Sequence, residues 1–377
     1  MAIDKIDART KRISIIGSGN AGMTAAYHFS KHGSDVCLYD AQGFHEHLDH
    51  VRLRGGIRAL EEFEGDKLLF GGFEPIQLVT SSIEEAVNFA DVLLMPVPSY
   101  AQEILFESMI PYLKHGQIIA LLPGNYGSLV LNQLLIKRGY QHLELTFVDA
   151  ISIPWACRIV GDAEIAILGI KQFLPVAVFP NDKGHATIDL LQPFFPIPLR
   201  LLENVIVAGL GNINFGAHPV YTILNMGILE NFDGKFSFYH DCCSEATASV
   251  AEVLDQERLA VGRALGFRLP SDLDAMNALY GKNESNIVDF NRNSDTHKKI
   301  RSAPSSPTHR YISEDVPFLL VPCLEFARLG GIETPILEAL TNLAGVFNHI
   351  NYVQEGRTLQ SMGLETMKID EIVRFVS

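Results

Sequence analysis

ISIIGSGNAGMTAAYHFSKHGSDVCLYD, residues 13–40, is the stretch on which the fold turns. An apolar run ends in glycines at 17, 19 and 22, a helical pattern follows, and a second apolar run closes on Asp40. Spacing of the GxGxxG kind is weak evidence alone. Between a strand and a helix, with an acid at the end of the next strand, it is the signature of a dinucleotide-binding βαβ unit. Each glycine has a reason. Gly17 permits the tight turn, Gly19 leaves room for a pyrophosphate against the backbone, and Gly22 lets helix and strand close up. Ser18, Asn20 and Ala21 complete the loop, whose helix start offers N–H groups to the phosphates. Asp40, 21 residues after Gly19, is expected to accept from the adenosine ribose, and no Arg or Lys follows until Arg52. NAD is therefore expected ahead of NADP.

Working outward, strands are predicted at 12–17, 35–40, 76–80, 91–96, 117–122 and 145–149, with helices at 20–32, 82–89, 100–113 and 127–138. This alternation predicts a parallel sheet wrapped by helices, a Rossmann domain. Pro96, Val97 and Pro98 follow a strand end and are expected to line the nicotinamide side, or simply to form a turn. The runs at 164–169 and 174–179 are expected to extend the same sheet. From about 211 the pattern turns mainly helical, with an amphipathic helix over 244–266 stopped by Gly266. Residues 281–309, rich in Asn, Ser, Lys and Pro, read as a mobile surface loop, with a substrate lid as the functional version. The division predicted is a nucleotide-binding domain over 1–205 and a helical catalytic domain over 206–377.

The 377 residues carry a net charge of −14, against a sequence-independent grip on nucleic acid. The polar N-terminus shows no signal peptide, and no run reaches membrane-span length. Five cysteines without a regular interval suggest reduced thiols in the cytoplasm. Cys242 and Cys243 are read as two small buried residues rather than a redox pair. FHEHLDH, residues 44–50, lacks the HExxH spacing, and no metal is predicted.

His218 is one of thirteen histidines and by itself reads as structural. Arg310 and Asp315 alone read as a surface pair, or as part of a helix start with Ser313 or Asp315 as cap and Pro317 in the first turn. Together the three have a chemical logic. A histidine moves protons near neutral pH, a carboxylate fixes its tautomer, and an arginine clasps a substrate carboxylate.

The chain resembles the opine dehydrogenases, the octopine/nopaline dehydrogenase family. The segments carrying the likeness are GSGNAG (17–22), ENV (203–205), NINFGAHPVYTILN (212–225), SVAEVLDQERLAVGRALGF (249–267), RYISEDVPFLLVP (310–322), TPILEAL (334–340) and EGRTLQSMGL (355–364). The resemblance implies a Rossmann domain followed by a mainly helical domain of 6-phosphogluconate-dehydrogenase-like arrangement. It implies NAD(P)H-dependent condensation of an α-keto acid, pyruvate foremost, with the amino group of an amino acid. It also implies His218 as the acid–base, Asp315 as its partner and Arg310 as the substrate arginine. Asn212, Asn214 and Asn225 fit the pattern, as ligand holders or helix bridges. The polar stretch before Arg310 departs from it, which leaves the amino substrate open. The partners expected are thus two small molecules and, for assembly, a homodimer. The rivals are a ketopantoate reductase or glycerol-phosphate dehydrogenase, which look for a catalytic lysine, and a non-catalytic NAD-binding sensor. After Lys183 the next lysine is Lys235, in a turn ill suited to catalysis.

Overall fold

The computed structural model describes residues 11–301 and 303–377. The N-terminal stretch read as free of a leader lies mostly outside them. Contacts divide the chain into two compact units, Met1–Val205 and Ile206–Ser377.

The first unit is built on an eight-stranded sheet. Its order is Leu199–Leu201, Leu174–Phe179, Thr146–Ala150, Ile118–Leu121, Val92–Met95, Arg12–Ile16, Asp35–Tyr39, Leu78–Thr80. All pairings are parallel except Thr146–Ala150 against Leu174–Phe179. The central strands Val92–Met95 and Ile118–Leu121 are buried at every position, as continuous apolar runs covered on both faces must be. The run 164–169 corrects the prediction. As Glu164–Ile170 it belongs to a second sheet of four strands, beside Trp155–Gly161 and Gly56–Ala59. Short, apolar and close in sequence to 174–179, it carries no local mark of which sheet it joins. Trp155, the single tryptophan, donates from Nε1 to Nδ1 of the buried His28 at 2.9 Å. Burial foremost, with His32 and Lys31 adding, pushes the His28 imidazole down to about 4.

Helices dominate the second unit. Its long helix is Glu245–Ala264, capped by Ser244 and ended before Gly266, which has φ +86°. The amphipathic reading of its charges needs correction. Val253 is half exposed, whereas Asp255, Glu257 and Arg258 are buried. Each has partners. Arg258 donates to Asp255 and to the carbonyls of Leu210 and Pro270. Glu257 accepts from the N–H groups of Ile336 and Leu337 at 2.9 and 2.8 Å, so it caps the helix Pro335–Asn348 from another element. The stretch 281–309 is not a structureless loop. Asn286 caps a helix, Ile287–Asn293, by accepting from the Asp289 N–H, and the buried side chains of Ile287, Val288 and Phe290 hold it down. Asn and Ser read as loop residues, yet they are also the preferred helix caps.

No helix among the described residues is long and apolar enough to cross a membrane. All five cysteines are free and buried.

Candidate active site

The glycine loop gives each glycine a visible cause. Gly17 has φ +116°, and a Cβ on it would lie 2.5 Å from Val97 Cγ1. At Gly22 a Cβ would meet the Gly17 carbonyl oxygen at 1.8 Å. Gly19 differs, since nothing stands within 4 Å of where its Cβ would be. It is the N-cap of the helix Asn20–Lys31, with no side-chain cap and no acid in the first turn. Open space above uncapped N–H groups fits a pyrophosphate. Asn20 turns away and accepts from the Ile159 N–H at 2.7 Å, tying the helix start to the second sheet; Ala21 is half-buried.

Asp40 does more than the sequence suggested. Its Oδ2 accepts from the N–H and hydroxyl of Ser18 at 2.7 and 2.6 Å, and its Oδ1 from the Ala41 N–H at 2.8 Å. A carboxylate has about four acceptor sites, so most of this one's capacity braces the loop. Pro96 and Val97 are buried, and Pro98 precedes the helix Ser99–Met109. Of the three, Val97 stands against the loop, beside Gly17.

In the second unit His218 lies in the helix Asn214–Leu224, ahead of an internal proline, Pro219. Its Nδ1 is 2.8 Å from Asp315 Oδ2, with both side chains buried. The expected cap role of Asp315 is replaced: it stands at the N-cap of the π-helical turn Val316–Leu320 but makes no cap bond, and its carboxylate goes to His218. Single π-helical turns recur at functional sites. Ser313 likewise donates to the Thr308 carbonyl instead of capping. Burial pushes the Asp315 carboxyl up to about 8, while Arg310 pulls it down. At 2.8 Å a proton is shared in a hydrogen bond between the Asp315 carboxyl and Nδ1.

The other faces of His218 are aromatic. Tyr311 stacks on the ring at 3.6 Å and 15°. Nε2 lies 2.8 Å from the Tyr239 hydroxyl, and Tyr239 itself stacks on His297 at 4.2 Å and 10°. Arg310 sits one turn before Asp315, its Nε 3.5 Å from Glu314 Oε2, with about half of its side chain exposed (48%). That leaves its two terminal nitrogens to receive an anion. The structure thus brings His218 and Asp315 into contact and sets Arg310 beside them. Tyr239, Tyr311, His297 and Glu314 were missed. Tyr311 and Glu314 lie inside the quoted RYISEDVP segment, whereas nothing in FSFYHD marks Tyr239. Of the asparagines, Asn225 bridges, donating to the carbonyls of Tyr221 and Cys242, and Asn212 accepts from the Asn214 N–H.

The histidines of 44–50 make surface pairs, His45 with Asp49 and His50 with Asp162. Among the described residues no group of three His, Cys, Asp or Glu side chains is placed to hold a metal. Lys235 is exposed and pairs with Asp233, which weighs against the lysine-dependent rival.

Comparison with known proteins agrees with both halves. Residues 201–348 match the family model for the α-helical domain of NAD/NADP octopine/nopaline dehydrogenase, and residues 15–60 match that for an NAD(P)-binding Rossmann-like domain. The chain is 28% identical to an opine dehydrogenase of Arthrobacter sp. (strain 1C), over 94% of this chain and 96% of that protein. An octopine dehydrogenase solved with NADH and agmatine superposes with a TM-score of 0.76 at 20% identity, covering 97% of this chain and 98% of that one. A ketopantoate reductase from Ralstonia eutropha JMP134 shares the fold less closely, with a TM-score of 0.58 at 17% identity over 90% and 98% of the two chains. The chain is an NAD(P)-dependent oxidoreductase that carries an octopine/nopaline dehydrogenase α-helical domain behind an NAD(P)-binding Rossmann-like domain and is similar over nearly its whole length to opine dehydrogenases.

Proposed function

We propose that this protein joins an α-keto acid, pyruvate foremost, to the amino group of an amino acid and reduces the product to a secondary amine. The observation that carries this reading is the buried imidazole of His218, braced at Nδ1 by Asp315, with the half-exposed side chain of Arg310 on the same segment. Arg310 clasps the keto-acid carboxylate through two parallel hydrogen bonds. His218 moves protons to and from the carbonyl oxygen as the amine adds and water leaves. Asp315 fixes the tautomer and offsets the imidazolium charge. When bound, the reduced nicotinamide supplies the hydride for the C=N carbon. Gly19 leaves room for the dinucleotide, Gly17 and Gly22 let the loop close tightly beneath it, and Asp40 favours NAD by repelling a 2′-phosphate. Pro96, Val97 and Pro98 are assigned to the nicotinamide side.

Two further readings belong to the same proposal. The free, buried thiols support a cytoplasmic setting, and the assembly is a homodimer, to be read from mass in solution. The chemistry is tested by NADH oxidation with keto acids alone and with keto acid plus each amino acid, weighing the product. Oxidation that needs both, with a product heavier by the keto acid less one oxygen, supports condensation. Full rates with a keto acid alone would return the assignment to a simple keto-acid reductase.

A further inference from the structure

The phenol beyond the histidine ring has no part in the chemistry so far. Asp315 takes Nδ1, so a proton that His218 exchanges with anything else passes through Nε2. That nitrogen faces the Tyr239 hydroxyl at 2.8 Å. With the proton of the His218–Asp315 pair on the Nδ1 side, Nε2 accepts and the phenol donates. A group so placed either leaves when a substrate arrives or hands the proton on. The setting of its ring favours the second. Tyr239 is stacked on His297 at 4.2 Å, with the edge of the fully buried Phe238 at 5.2 Å and 80°. His297 is fixed in turn, its Nδ1 3.1 Å from Asn291 Oδ1 and its ring against Tyr280 and Phe290 at 5.5 and 5.6 Å. Moving the phenol aside means breaking that stack.

We infer that Tyr239 is the relay through which His218 gives and takes its proton. The inference rests on the acid–base role proposed for His218. In the dehydration step the Tyr239 O–H proton passes to the departing hydroxyl, and the imidazolium Nε2–H restores the phenol. The C–O bond breaks with its electron pair and water leaves. The nitrogen lone pair closes the C=N bond, and His218 ends neutral. Asp315, Tyr311, Arg310 and Glu314 come from the segment facing the other side of the ring, and His297 lies behind Tyr239.

The test compares Tyr239→Phe with His218→Asn, each assayed for keto-acid- and amino-acid-dependent NADH oxidation across pH, with melting temperature and NADH affinity measured alongside. Tyr239→Phe should lower kcat on the order of 10²-fold, with KM and NADH affinity kept. It should also move the alkaline limb to higher pH, because the lost hydrogen bond favoured the neutral imidazole. A retained or raised kcat with an unmoved limb means that the phenol merely occupies Nε2, which overturns the relay. Full turnover in His218→Asn would instead sink the acid–base reading on which the relay stands. A proton inventory of the wild-type enzyme in mixed H2O and D2O decides without a variant. A bowed plot, from two protons moving in one step, supports the relay, and a straight one overturns it.

Discussion

The nucleotide loop and the histidine cluster are two ways of building a site. The loop is made of backbone and of missing side chains within 28 consecutive residues, Ile13 to Asp40. The cluster is made of side chains brought from residues 218, 239, 297, 311 and 315 onto one another, 97 positions apart for the His218–Asp315 pair. The first depends on what is left out, the second on what is brought in. Damage to the one should therefore spare the function of the other.

Four measurements break or sharpen that contrast. The largest effect is expected in His218→Ala, where turnover should fall about 10²–10⁴-fold while NADH binds as before. Lost NADH binding there would join the two sites that the contrast separates. Next comes Arg258→Ala, which strands Asp255 and Asp272 in the helical unit. It should cost about 3–5 kcal/mol of that unit's stability, seen in chemical denaturation. A third lies in the Rossmann unit and depends on pH. The His28 pKa is lowered in the folded chain from 6.5 to about 4. Between those values the unfolded chain takes up a proton that the folded one refuses, so stability is full above 6.5 and declines as pH falls towards 4. The loss should reach roughly 3 kcal/mol. Trp155, bonded to that ring, makes its fluorescence the natural readout, and His28→Gln should flatten the dependence. The smallest is Gly19→Ala. The open space at this position predicts an unchanged melting temperature but NADH affinity weakened about tenfold, worth 1.4 kcal/mol. Gly22→Ala, pressed against the Gly17 carbonyl, should do the reverse and melt early.

The same contrast explains what could be read from the sequence. Strand, turn, helix and acid follow one another from Arg12 to Asp40, so local pattern was enough to find the nucleotide site. Even there it missed that Asp40 spends most of its acceptors on Ser18 and Ala41, because the hydrogen bonds of a carboxylate are not a pattern. Likewise the partner sheet of 164–170 is a tertiary choice. His218, Asp315 and Arg310 were singled out through resemblance and chemical reasoning, and the contact of His218 with Asp315 lay beyond any spacing rule. Tyr239 and His297 carried no signal at all. One sits in an unremarkable aromatic run, and the other in a stretch whose Asn and Ser content concealed a capped helix.

The free thiols turn the molecule into its own unfolding gauge. Cys37 and Cys157 are shut inside the first unit, Cys242, Cys243 and Cys323 inside the second, and burial pushes Cys37, Cys242 and Cys323 up to about 12. Buried in the closed chain, the five sulfurs are out of an alkylating reagent's reach. Sites modified under mild denaturant and mapped by peptide mass would report how often each half opens, so that breathing of the two units could be timed separately within one unaltered chain.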